Sequence, residues 1–190
     1  MYYGEQINLL GNGFRLLFIE NEGMAWGWKL GGDGGKLILT VFRLVAVILG
    51  VFYIKKLLRK ENHPGFLVCV ALIFAGAFGN LIDSMFYGLI FSPSEHGYPI
   101  AQLFPHGGGY GSFLHGKVVD MIYCPIIDTT WPSWMPFVGG ERLTFFDPVF
   151  NIADASISSG VIAILVFQKK FFKSSQPSQQ EQPTHQTVQE

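Results

Sequence analysis

Three long apolar runs in a chain of 190 residues leave few folds open. Leu37 to Ile54 is broken only by Arg43, Gly65 to Ile82 carries no charge, and Ala155 to Phe167 is apolar apart from small hydroxyl side chains. Crossing roughly 30 Å of hydrocarbon takes about 20 residues, so each run predicts a membrane span, the last once Asn151 and Asp154 are included. One such run also fits a buried soluble helix; three together do not. The residue balance agrees, with 14% charged where soluble domains carry roughly a quarter. The expected class is an all-α polytopic membrane protein, a transmembrane helix bundle with spans at about 37–54, 65–86 and 148–168.

Charge sets the expected orientation. Lys55, Lys56, Arg59 and Lys60 follow the first run, and Lys169, Lys170 and Lys173 follow the last. The positive-inside rule makes both clusters cytoplasmic and puts an outer segment, about 89–144, on the other side with the N-terminal stretch. Nothing in residues 1–36 carries that stretch across, so a further span ahead of Met1 is expected. Residues 13–30 read as a small outer β hairpin turning at Asn21-Glu22-Gly23, with Trp26 and Trp28 suited to the membrane interface. The outer segment is rich in Gly, Pro and aromatic residues, which in a loop this long points to function rather than disorder. Residues 1–173 thus form one membrane-embedded domain, and 174–190, mostly Gln, Ser, Pro and Thr, a disordered, solvated cytoplasmic tail.

Several functions are disfavoured. A net charge of −1 with no basic stripe argues against nucleic acid. Cys69 and Cys124 lack CxxC spacing and read as packing residues. His96, His106 and His115 lack metal-ligand spacing, so no metal is expected. No nucleophile elbow, phosphate loop or dinucleotide fingerprint occurs.

The chemistry lies where apolar spans carry polar residues. Asp147, Asn151, Asp154 and Ser158 are four, three and four apart, one face of a helix. Gly76, Asn80 and Asp83 repeat the four-three spacing at the same end of the middle span. A carboxylate left in lipid costs several kcal/mol, so such stripes seek each other or water. Asp147 is placed to cap a helix starting near Pro148. A third element, Lys117 to Tyr123, is a short β-rich run with Asp120 at its centre. Two carboxylates in a low-dielectric, water-accessible site share a proton, and such a pair hydrolyses amides without a metal. On spacing alone, a proton relay, pairing with Arg43 and helix packing stand beside catalysis.

Four blocks in this order resemble the lipoprotein signal peptidases, signal peptidase II. They are Phe14 to Gly27, Gly76-Ala-Phe-Gly79-Asn80-Leu-Ile-Asp83, Val118-Val119-Asp120-Met121, and Phe150-Asn151-Ile-Ala-Asp154-Ala-Ser-Ile-Ser-Ser-Gly160. The resemblance implies a bundle of four helices in the family, three of them here, with a small extracytoplasmic β-cradle. It implies an aspartic endopeptidase of the bacterial inner membrane, active at the periplasmic face and needing no cofactor. Its partners would be membrane lipids and a lipid-modified prolipoprotein, cut before the diacylglyceryl cysteine, and a monomer is expected. Asp120 and Asp154 would be the catalytic pair, with Asn21, Gly23, Asn80, Asp83 and Asn151 supporting the site or contacting substrate.

This chain departs from the family pattern at Ser84, where Arg is usual, and Arg43 is the cation expected to stand in. Residues 89–116 and 124–149 are insertions. Two other functions remain open: a non-catalytic membrane scaffold or inactive relative, and a transporter using Asp83 and Asp154 as relay carboxylates. A carboxylate on a strand, Asp120, counts against the relay.

Overall fold

A computed structural model describes residues 1–11, 13–22, 32–95, 97–145 and 147–172. Three helices long and apolar enough to cross a membrane carry the chain: α1 (Gly32–Leu57), α2 (Pro64–Ile90) and α3 (Ile152–Phe171). Their burial pattern is inverted relative to a soluble bundle. In α2 the exposed side chains include Val68, Leu72, Phe78, Ile82, Phe86 and Leu89, while Gly76, Asn80, Ser84 and Gly88 are buried. Lipid solvates Phe and Ile as well as another helix does, so apolar side chains face outward and small or polar residues make the contacts.

The tightest of these contacts joins α2 to α3. A Cβ at Gly76 would stand 2.3 Å from the Ala153 carbonyl oxygen, and one at Gly160 would stand 2.7 Å from the Cys69 carbonyl oxygen. At the opposite end from the carboxylates, the ring of Phe66 packs against Phe171 and Phe172, and His63 caps α2 by accepting from the Gly65 amide.

The strands are β1 (Gln6–Leu10), β2 (Phe14–Asn21), β3 (Val118–Tyr123), β4 (Ile127–Thr130), β5 (Arg142–Phe145) and β6 (Val149–Phe150). An antiparallel sheet of order β1-β2-β3-β6 leads straight into α3. Of the hairpin expected over 13–30, the first arm is β2, and the second lies outside the described residues. β2 turns back at Gly11, held at a φ of +55°, to pair with β1, and its far end pairs with β3. Residues 23–31, with Gly23, Trp26 and Trp28, lie outside the described residues, as do His96 and the 174–190 tail.

Two further corrections concern the spans. α2 runs on to Ile90, so the outer segment begins at Phe91. α3 begins at Ile152, because Val149 and Phe150 are drawn into the sheet against Tyr123 and Ile122 and Asn151 provides the cap. Asp147 therefore does not cap α3.

Residues 127–145 form the β4–β5 hairpin, clamped to the sheet by Asp128, which pairs with Arg15 of β2 and, at 2.8 Å, with Arg142 of β5. Residues 91–116 fold back over the end of α2. Both ends of the segment are tied to β2 through Ser94 and Lys117, each bonded to Glu20.

Candidate active site

Asn151 organises the cluster because it ends one element and begins another. Its backbone is extended, as a strand end requires, and its side chain caps α3: Oδ1 accepts from the Asp154 amide at 2.9 Å. Asp154 at the third helical position reciprocates, its Oδ2 accepting from the Asn151 amide at 3.3 Å, which completes a capping box. The side-chain amide of Asn151 is left to reach sideways. Its Nδ2 donates to Asp120 Oδ1 at 2.9 Å and to Asn80 Oδ1 at 3.1 Å.

Two elements converge on that amide. β3 brings Asp120, 3% exposed, whose Oδ2 accepts from Asn21 Nδ2 of β2 at 3.0 Å. α2 brings Asn80, whose Nδ2 donates to Asp154 Oδ1 at 2.8 Å. All four oxygens of the two carboxylates are thus hydrogen-bond acceptors, and the two acids join through Asn151 and Asn80. Such saturation makes two buried carboxylates tolerable.

Burial is the largest influence on Asp120, pushing its pKa up to about 6, and the nearby Asp154 charge adds to the rise. Hydrogen bonds from Asn21 and Asn151, and the field of Arg43, oppose it. A carboxyl in that range exchanges its proton near neutral pH, where general acid–base chemistry is most effective.

Arg43 of α1 supplies the positive field felt by both acids. It donates to Ser84 Oγ at 3.0 Å, and Ser84 donates to the Asn80 carbonyl at 2.8 Å. The cation thus lies against the very position where Arg is usual in the family pattern. Ser84, buried, was missed as a participant; its signal was the four-residue step from Asn80, which continues the step from Gly76. Asp83, one residue earlier, bonds to Tyr87 on its own helix and takes no part in the bonds joining Asp120 to Asp154 among the described residues. Arg43→Gln retains a donor for Ser84 and removes the charge. We expect cleavage slowed by on the order of ten- to a hundredfold, about 1.4–2.7 kcal/mol of barrier, with unfolding temperature little changed. Wild-type rates in the folded variant would remove Arg43 from the site.

The bundle, the small sheet and the bridged carboxylates define a class: a helical membrane protein that holds an acid pair at one end of its spans. Within that class, the chain belongs to the signal peptidase II family, a family of peptidases. Residues 1–170 match the family described as Signal peptidase (SPase) II. The chain is 52% identical over 162 residues to a lipoprotein signal peptidase of Porphyromonas gingivalis, covering 85% of this chain and 70% of that protein. It is 37% identical over 166 residues to a lipoprotein signal peptidase of Amoebophilus asiaticus, covering 87% of this chain and 65% of the relative. Among solved structures, a bacterial membrane enzyme determined by the in meso method shares the fold, with a TM-score of 0.56 at 22% identity over 93% of this chain and 79% of that one.

Proposed function

We propose that this chain is an aspartic endopeptidase that removes signal peptides from prolipoproteins, cutting before the diacylglyceryl-modified cysteine. The observation that carries the proposal is the pair Asp120 and Asp154, bridged by Asn151 and Asn80 at the end of membrane-spanning helices. Family membership supplies the substrate class.

Asp120, with its raised pKa, carries the proton that the pair shares, and Asp154 serves as the base. Asp154 takes a proton from water as the water attacks the scissile carbonyl. Asp120 donates to the carbonyl oxygen as charge develops there. The tetrahedral intermediate then collapses when the departing amine receives a proton from the pair, so no covalent enzyme intermediate forms. The asparagines hold both carboxyls in place throughout. The basic ends of α1 and α3, Lys55, Lys56, Lys169 and Lys170, support a site at the periplasmic face of the inner membrane under the positive-inside rule.

Product analysis tests this reading. Protein in lipid vesicles should convert a lipid-modified precursor peptide to two fragments, one beginning at the modified cysteine by mass spectrometry. Equal cleavage of the unmodified peptide, or cleavage at another bond, contradicts it.

A further inference from the structure

Residues 97–116 run for twenty positions without an Asp, Glu, Lys or Arg, although they belong to neither a span nor a strand. They are bound to the last two turns of α2 backbone to backbone. The amides of Phe104, Gly111, Leu114 and Gly116 donate to the carbonyls of Ile90, Gly88, Met85 and Ser84 at 2.7, 2.8, 3.2 and 2.8 Å. The approach is so close that a Cβ at Gly109 would stand 2.1 Å from the Gly88 carbonyl oxygen. A helix end that stays inside a membrane needs its carbonyls satisfied by protein in this way, whereas one in water does not.

Apolar side chains of this segment are exposed. Phe104, at a φ of +50°, is 71% exposed, and Leu103 and Phe113 are exposed as well. A non-glycine residue in the left-handed region with an exposed phenyl ring has given up backbone and hydration free energy together. The ring of Phe113 meets that of Phe86 at 5.7 Å, and Phe86 closes the outward-facing apolar stripe of α2. The segment therefore continues the lipid-facing surface of the span.

The start of α3 fixes the level. α3 has 20 residues, about 30 Å at 1.5 Å each, which matches the hydrocarbon core. Ala153 and Asp154, in its first turn, lie beside Gly76 and Asn80 of α2. Leu81 to Ile90 of α2 accordingly rises past the start of α3 into the headgroup layer on the carboxylate side. Residues 97–116 pack along that part of α2.

We propose that residues 97–116 form a collar seated in this headgroup layer, with Leu103, Phe104 and Phe113 inserted among phospholipids. The occupant is the bilayer itself: the collar's apolar surface is continuous with the lipid-facing stripe of α2 and lies at the level of the headgroups.

Nitroxide accessibility tests the collar. Cys69 and Cys124 are first replaced by Ala in the full chain, and a spin label is attached through Phe104→Cys in vesicles of phosphatidylethanolamine and phosphatidylglycerol. Labels at Phe78→Cys on the lipid face of α2 and at Glu141→Cys beside β5 serve as references. The ratio of oxygen to nickel-chelate collisions at position 104 should exceed that at 141 several-fold and approach that at 78. A ratio at 104 equal to that at 141 overturns the collar. Shielding from both reagents, the signature of a covering protein, overturns it too. Leu103→Cys replaces the Phe104 variant, under the same criteria, if that variant does not fold.

Discussion

Asp120→Asn is expected to abolish cleavage while making the protein more stable at neutral pH. The activity loss follows from removing one of two proton-transfer groups, a contribution of about 10²–10⁴-fold. The stability gain follows from burial. In the folded protein the Asp120 pKa is raised to about 6 from its ordinary value of 3.8. The folded state thus holds the proton more tightly than the unfolded state does. Its contribution to stability is fully present below pH 3.8 and is lost as pH rises through about 6. Above that pH the charged, buried acid weakens the fold by roughly 2–3 kcal/mol relative to its protonated form. Asparagine has no charge to bury, and a rotation of the Asn21 amide presents an acceptor to the new side chain. Unfolding temperatures in detergent should therefore fall between pH 5 and pH 8 more steeply for the wild type than for Asp120→Asn. Parallel curves would show that Asp120 is not the titrating group.

The second large effect is expected at Gly76. Alanine normally improves a helix over glycine by about 1 kcal/mol, so Gly76→Ala would stabilise an isolated α2. Here the new methyl meets the Ala153 carbonyl oxygen at 2.3 Å and Ile157 Cγ1 at 2.8 Å. The side chain of Ile157 can yield; the backbone carbonyl of α3 can do so only if the helix moves. Overpacking of this kind costs roughly 1–3 kcal/mol, which outweighs the propensity gain. The displaced turn is the one that carries Asn151 and Asp154, so activity should fall by about 10²-fold for a shift near 1 Å. Gly79→Ala, whose methyl would stand 3.6 Å from the Ala153 Cβ, is the matched control. It should retain wild-type cleavage and equal or higher stability. Similar behaviour of the two variants would mean that the α2–α3 contact does not position the acids.

Features governed by local physics were legible in the sequence. An apolar run of about 20 residues declares a span by itself, and all three spans were readable from Leu37, Gly65 and Ala155 onward. Of the polar stripe read from Asp147 to Ser158, only Asn151 and Asp154, three apart, meet at the site; Asp147 lies outside α3 and Ser158 is exposed. Features set by distant partners were not legible. β2 takes β3 as its neighbour from about 100 residues away, a pairing that no local turn signal announces. The start of α3 was read at Pro148, which suits a first helical turn. The Asn151 to Asp154 capping box, equally visible in the sequence, prevails because β3 draws Val149 and Phe150 into the sheet. On α2, steps of three and four from Asn80 are equivalent on paper. Packing against α1 buries Ser84 beside Arg43 and leaves Asp83 to Tyr87. The convergence of Asn21, Asn80 and Asn151 on the two acids rests on tertiary geometry that spacing cannot encode.

The central claim is that Asp120 and Asp154 act as one catalytic unit, and a double-substitution cycle tests it most directly. Cleavage of the lipid-modified precursor is compared for wild type, Asp120→Asn, Asp154→Asn and the double variant, each reconstituted in vesicles. Groups that share one proton are expected to be strongly non-additive, so each single variant should fall to the residual rate and the double variant should be no slower. Near wild-type cleavage by either single variant, or a double variant slowed by the product of the two single effects, would contradict a shared-proton pair.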